Sequence, residues 1–316
     1  MPPPKAARMQ SPSSILCYKQ CPRKYYYQYI AKLPTKENIH LVRGKLVHAV
    51  LESFFDLNTT GIIQQNYVER LTNHLKDLFH KEWDRQKPSI RKHCKSDYDV
   101  VHYYEDTLQM MANWLNHIFL RLHPLIKEIP FQEAFARIKP AMIEEEFRSP
   151  DLNVRGFIDY IEHHGDEVKI MDYKTSKHGE MTPEYRLQLA IYALLYSEKF
   201  GKHANKVGLW FLKHGEVTMD VTEELINDAR FEIEQIHLNT QTVDMADYPK
   251  NVGPLCRWSS GECDFYRVCF GHEPMPQLMQ IRETTEEKTA VELGVKATTA
   301  PSAPLPTPVM AAARTL

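Results

Sequence analysis

Hydrophobic positions change their spacing near residue 140, and the change divides the chain. Before that point apolar residues recur every three or four positions, as in Tyr104, Leu108, Met111, Leu115, Ile118 and Leu122, the period of a helix with one buried face. This spacing predicts helices over 64–85 and 96–122, a short helix in "SPSSILCYKQCPRKYYYQYI" behind its Ser/Pro start, and another in "HLVRGKLVHAVLESFFDL". Beyond it the period shortens: "AMIEEEF", "NVRGFIDYIE" and "EVKIMDYKT" predict three strands, with turns at "SPDL" and "HHGD". "TPEYRLQLAIYALLYSEKF" then predicts a helix entered through Thr182 and Pro183. "KVGLWFLKHG" and "EVTMDVT" predict two more strands, and "EELINDARFEIEQIHLNT" a closing helix.

A meander followed by a crossover helix and further strands implies an α/β fold: a central mixed sheet flanked by helices, with a helical insertion at 56–135 ahead of it. Residues 1–10 are expected to form a flexible leader and 11–275 the folded domain. Residues 276–316, rich in Ala, Thr and Pro and free of aromatic residues, are expected to be a disordered tail. A chain of 316 residues that is 43% hydrophobic has the material for a sizeable core. No apolar run approaches the ~20 residues that cross a bilayer, and the start lacks a secretory signal; the expectation is a cytoplasmic protein with no membrane partner.

Net charge is −2, which gives no global case for a nucleic-acid partner. Locally, residues 1–36 carry Lys5, Arg8, Lys19, Arg23, Lys24, Lys32 and Lys36 and no acid. An ordinary solvated face is the bland reading of that run, and a phosphate-binding patch the sharper one.

The chemistry concentrates at "IMDYKTSK". In a strand, Asp172 and Lys174 project from one face, either as a surface ion pair or as two halves of a reaction centre. Asp159 in "RGFIDY" lies on the preceding strand, and a turn at "HHGD" would bring the two carboxylates to one end of the sheet. Close carboxylates repel unless a cation lies between them, and Mg²⁺ or Mn²⁺ suits such oxygen ligands. Lys174 beside the ion would orient or deprotonate an attacking water and offset developing charge. Upstream, Gly44, His48 and Glu52 share one helical face; the glycine would permit close approach, and neutral His48 could ligate. Gln188 and Tyr192, four apart on the crossover helix, could line the mouth of the site. Each residue singly reads as packing or solvent; it is their company that points to chemistry.

Together "GKLVHAVLE", "RGFIDY", "MDYKT" and "QLAIY" resemble the RecB-type nucleases of the PD-(D/E)XK superfamily, over roughly residues 11–272, and "SPSSILCYKQCPRKYYYQYI" is similar to their N-terminal helix. The resemblance implies that His48, Asp159 and Asp172, with the backbone carbonyl of Tyr173, bind the divalent metal. It makes Lys174 the catalytic lysine and places Gln188 and Tyr192 in the trailing motif. The glutamate of the preceding strand corresponds to one of Glu144, Glu145 and Glu146; regular alternation puts Glu144 and Glu146 on one face and Glu145 on the other.

A subgroup of this family, with AddB-like and CRISPR-associated members, holds a 4Fe-4S cluster on one early and three late cysteines. Cys21 and the 256–269 cluster of Cys256, Cys263 and Cys269 match that pattern, except that six residues separate Cys256 from Cys263 where the family often has two. Four-thiolate Zn²⁺, Cys17 in place of Cys21, and no metal at all remain open. Cys94 stands apart as an incidental thiol.

The implied activity is a metal-dependent DNA exonuclease of recombination, repair or replication, in a bacterial or phage-infected cell. Tyr25, Tyr26 and Tyr27 are candidates for base stacking, with helix packing as the bland alternative. The alternative functions are an idle module that binds DNA ends and a CRISPR spacer-processing nuclease. No G-x-x-x-x-G-K-[ST] run is present, so a helicase, an annealing protein or an integrase would be a separate partner.

Overall fold

The structure, a computed structural model, describes residues 8–259 and 261–275. Residues 1–7 of the expected leader and the whole expected tail, 276–316, lie outside these. The chain begins with α1 (Pro12–Gln20), α2 (Pro22–Tyr25) and a π-helical turn over Tyr26–Ile30. α3 (Ile39–Phe54), α4 (Tyr67–His93), α5 (Asp97–Leu125) and α6 (Phe131–Ile138) follow. Strands β1 (Met142–Ser149), β2 (Val154–His164) and β3 (Glu167–Lys174) lead into α7 (Pro183–Phe200). β4 (Lys206–Phe211), β5 (Gly215–Asp220) and α8 (Glu223–Asn239) complete the core, and β6 (Arg257–Trp258), β7 (Gly261–Glu262) and α9 (Tyr266–Cys269) close the described part.

Local chemistry sets these limits. Ser11 and Ser14 form a capping box before α1 and Ser96 and Asp99 another before α5, each satisfying two orphan N–H groups. Asn38, Thr182 and Thr222 cap α3, α7 and α8 by accepting from a first-turn N–H. Gly201 ends α7 at φ +67°, the left-handed position glycine occupies freely.

The sheet order is β1-β2-β3-β4-β5, antiparallel except for the β3–β4 pair that α7 connects. Its two faces bury different cores. Tyr160, Met171, Tyr173 and Trp210 pack with the apolar faces of α3 to α6, so the insertion covers one whole side. Ile158, Ile161, Ile170, Val207, Leu209 and Phe211 pack with α1, α7 and α8 on the other. The result is helix, sheet, helix in three layers.

Two features depart from the sequence reading. Gln10, expected within the leader, is buried and bridges the start of β2: its N–H donates to the Asn153 carbonyl and the Arg155 N–H to its own, both at 2.9 Å. Its side chain accepts from Ser14 Oγ at 2.8 Å and donates to Tyr25 Oη at 2.9 Å, so a buried amide that would be costly alone is satisfied. Alternation in β1 also slips. Ile143 packs towards the insertion, whereas Phe147, four residues on, packs against Tyr196 and Phe200 of α7. Strict alternation would put them on one face. Between them Glu144 takes φ +51°, a strained value for a residue with a side chain. In β2, likewise, Ile158 and Tyr160 belong to opposite cores.

α3 is held against the insertion by Phe54, whose ring meets Trp114 edge-on at 4.8 Å. Phe54→Ala is expected to cost about 3–5 kcal/mol in urea unfolding; a loss below about 1 kcal/mol would show that this contact does not anchor the helix.

Candidate metal centre and active site

Five elements, α3, β1, β2, β3 and α7, converge at the C-terminal end of β3. The register that pairs Tyr160 with Met171 carries Asp159 next to Asp172, and the one that pairs Ile143 with Tyr160 carries Glu144 next to Asp159. From α3, His48 Nδ1 reaches 3.4 Å from both Glu144 Oε1 and Asp159 Oδ2. The Tyr173 N–H donates to Asp159 Oδ2 at 2.7 Å. Asp172 and Lys174 project towards α7, where Gln188 Nε2 donates to Asp172 Oδ1 at 2.9 Å and to Tyr192 Oη at 2.9 Å, while Lys174 Nζ donates to Gln188 Oε1 at 3.0 Å. Tyr192 fits because Gly156 faces it: a Cβ there would come within 3.0 Å of the ring.

Electrostatics follow from burial. Asp159 and Asp172 are 6% and 2% exposed. Burial, then the charge of Asp172, pushes the Asp159 carboxyl up to about 6, against the opposing pull of His48 and the Tyr173 N–H. Burial alone would lower His48, but its hydrogen bonds to Asp159 and Glu144 and the nearby charge of Asp172 outweigh it and raise the imidazolium to about 10. Lys174 is also raised, since burial is overcome by Asp172 first and then by Asp159. Without metal the centre is an ion-paired cluster with Lys174 as an ammonium.

A sequence profile described as the PD-(D/E)XK nuclease superfamily matches residues 10–270. The chain belongs to the PD-(D/E)XK nuclease superfamily. No curated protein matches it. Among solved structures it is similar to a presumed exonuclease from Eubacterium rectale, at 12% identity and TM-score 0.43 over 86% of this chain and 90% of that one. It is also similar to the protein SSO0001, at 14% identity and TM-score 0.24 over 68% and 84%. The family assignment rests on the sequence match.

PD-(D/E)XK nucleases use divalent metals, and the residues present fit one. His48, Glu144 and Asp159 offer ligand atoms within 4.8 Å of one another. Asp172 Oδ2 is buried, with the Lys174 ammonium 2.5 Å away as its ion-pair partner; carboxylate oxygens gathered this closely are the donors a hard cation takes. With His48 neutral, three carboxylates and one ammonium leave a formal charge of −2, which a divalent ion cancels. Of the three glutamates Glu144 lies in the cluster with His48 and Asp159, whereas Glu145 pairs with Lys199 of α7 and Glu146 with Arg148 and Arg155. The slip in β1 turns Glu144 towards His48, which strict alternation could not indicate.

Other sequence candidates are placed differently. Among the described residues a Cβ on Gly44 meets nothing within 4 Å, so none of them makes the close approach expected of that glycine. Tyr25 and Tyr27 are buried and Tyr26 packs on Tyr248 and Tyr27, so the triplet is core rather than a stacking platform. The basic run is largely engaged: Lys19 pairs with Glu232, Arg23 Nε donates to the Tyr248 carbonyl, and Arg8 lies over Tyr29.

Cys21, Cys256, Cys263 and Cys269 line one cavity of about 40 Å³ with Tyr27, Phe265 and Phe270, and Cys17 lines a different groove. The long spacing from Cys256 to Cys263 has a structural reason: the intervening residues form the β6–β7 hairpin, and the Cys263 N–H donates to the Cys256 carbonyl at 2.9 Å. Among the described residues no three of these sulfurs lie within 4.8 Å of one another.

Ligation by His48 requires its proton to leave, so metal affinity rises with pH up to about 10. Below about 6 Asp159 adds a second proton to displace and the slope steepens. Calorimetric titration with Mn²⁺ should show affinity increasing by up to about tenfold per pH unit between 6.5 and 8.5, and Asp159→Asn should abolish binding. A pH-independent affinity would contradict the assignment of His48 as a ligand.

Proposed function

We propose that this nuclease is a metal-dependent DNA exonuclease acting in recombination, repair or replication. The observation that carries the reading is the convergence of His48, Glu144, Asp159, Asp172 and Lys174, drawn from α3, β1, β2 and β3, into one cluster of three carboxylates, an imidazole and an ammonium. His48, Glu144, Asp159, Asp172 and the Tyr173 carbonyl would hold Mg²⁺ or Mn²⁺. The bound ion supplies positive charge for the scissile phosphate and its attacking water.

The side chains supply the rest. Ion-paired with Asp172, Lys174 is an ammonium in the metal-free centre; beside the bound ion it would orient or deprotonate the attacking water and offset charge developing on the phosphate. Gln188 bonds Asp172 and Lys174 at once and fixes their separation; Tyr192 fixes Gln188. Cys21, Cys256, Cys263 and Cys269 would hold a 4Fe-4S cluster, stapling the N-terminal helices to the C-terminal segment. Contacts between the Asn251 side chain and the Gln20 carbonyl, and between the Arg23 N–H and the Pro249 carbonyl, already join those parts.

End-labelled linear DNA should be degraded in Mg²⁺ or Mn²⁺ while circular DNA survives, and Lys174→Ala or Asp172→Ala should lower the rate by at least about 10²-fold. Equal cutting of circles would contradict the exonuclease mode, and a Lys174→Ala rate within twofold of wild type would contradict the assigned centre. Protein purified without oxygen should contain iron and sulfide with broad visible absorption; zinc, or no metal, would overturn the cluster.

A further inference from the structure

Lys174 is the last residue of β3, and Phe211, its partner in the parallel pairing, is the last of β4. Where a ladder stops, fewer bonds hold the chain and it opens more readily. Residues 175–181 beyond it form no helix or strand. A side chain that meets a reacting phosphate tolerates little of this, since a displacement of about 1 Å can cost about 10²-fold in rate. The exit from β3 is nonetheless fixed at three carbonyls. The Leu212 N–H donates to that of Lys174 at 3.0 Å, Arg43 Nη2 donates to that of Thr175 at 3.0 Å, and His214 Nε2 lies 2.6 Å from that of Lys177. Leu212 and His214 belong to the turn between β4 and β5.

That turn is itself held by α5. Asn113 Nδ2 donates to the Leu212 carbonyl at 2.9 Å, and Gln109, one helical turn earlier, donates to Asn113 Oδ1 at 2.9 Å and so orients the amide. Asp106 stands seven residues before Asn113 and therefore on the same face of α5. One of its oxygens accepts from Lys213 of the turn, and the other from Arg43 Nη1 at 2.8 Å. Arg43 is 5% exposed, and its guanidinium lies over the ring of Tyr103, also on α5, at 5.7 Å. Among the described residues Asp106 is its only ion-pair partner, and a buried charge depends on such a partner. Two routes thus run from α5 to the end of β3: Asn113 through Leu212 to the Lys174 carbonyl, and Asp106 through Arg43 to the Thr175 carbonyl. Neither Asp106 nor Asn113 bonds to His48, Glu144, Asp159 or Asp172.

We propose that Asp106 and Asn113 are positioning residues for Lys174, holding the end of β3 through Arg43 and the β4–β5 turn so that Nζ meets the scissile phosphate and its attacking water. This rests on the role proposed above for Lys174. It gives the helical insertion a part in the reaction as well as in the core.

The test is a double-mutant cycle on the full chain, reading single-turnover cleavage of end-labelled linear DNA in Mn²⁺, with Mn²⁺ affinity measured by calorimetry. Asp106→Asn keeps the shape of the side chain and removes its charge. It should lower the maximal rate about tenfold, while the DNA concentration for half-maximal rate and the Mn²⁺ affinity stay within about threefold. In the Lys174→Ala background the same substitution should change the residual rate less than about twofold, because the group it positions is gone. A tenfold loss in both backgrounds, no loss in either, or a matching loss of Mn²⁺ affinity overturns the proposal. If Asp106→Asn does not fold, Asn113→Ala carries the same cycle. Hydrogen exchange read by mass spectrometry needs no activity: peptides covering Leu212 should exchange at least about tenfold faster in Asn113→Ala than in wild type, and unchanged exchange overturns the clamp. A wild-type protein that cuts no DNA overturns the proposed function, and the exchange measurement then still decides whether α5 holds the end of β3.

Discussion

Two buried aspartates on neighbouring strands govern the centre. Asp159 and Asp172 are nearly inaccessible to water, and each raises the energy of the other's charge. A folded chain tolerates such a pair when cations and donors surround it. His48 arrives from α3, Lys174 from the same strand two residues on, Gln188 from α7 and a peptide N–H from Tyr173. These partners compensate only part of the charge in the metal-free protein, where the carboxylates of Glu144, Asp159 and Asp172 face one imidazole and one ammonium. A divalent cation completes what the polypeptide leaves undone.

The surrounding architecture delivers those partners with little freedom. The β2–β3 hairpin sets the two aspartates side by side, and the parallel β3–β4 pairing requires a crossover that brings α7 across the sheet. The insertion is more than a surface addition, since its apolar faces cover the sheet side that carries Tyr160 and Tyr173. Arg43 joins three parts: it donates to Asp106 of α5 at 2.8 Å and to the Thr175 carbonyl just beyond β3, from a position one turn before His48. A shift of α3 would therefore disturb the metal ligand and the lysine strand together.

Much of this was legible in the sequence because the signals are periodic or covalently local. Alternation located β1, β2 and β3, the Thr182–Pro183 start located α7, and thirteen residues with a turn between them sufficed to pair Asp159 with Asp172. What escaped depends on partners distant in sequence. Glu144 was indistinguishable from Glu145 and Glu146 because a left-handed residue breaks the alternation there. Gln10 looked like leader because its order comes from pairing with residues 153–155. The Tyr25–Tyr27 run reads equally well as a stacking platform or as core, and only the packing of Tyr18, Tyr29 and Tyr248 decides. The long cysteine spacing looked anomalous until the β6–β7 hairpin brought Cys256 and Cys263 together.

The central claim is that the Asp159–Asp172 pair exists to hold a divalent ion in company with His48 and Glu144. The most direct measurement is anomalous diffraction from crystals grown with Mn²⁺. The account predicts a peak in contact with both aspartates, at about 2.0–2.3 Å from their oxygens, and with Asp172 Oδ2 among its ligands. Well-ordered, unprotonated aspartates with no peak between them at saturating Mn²⁺ would contradict it.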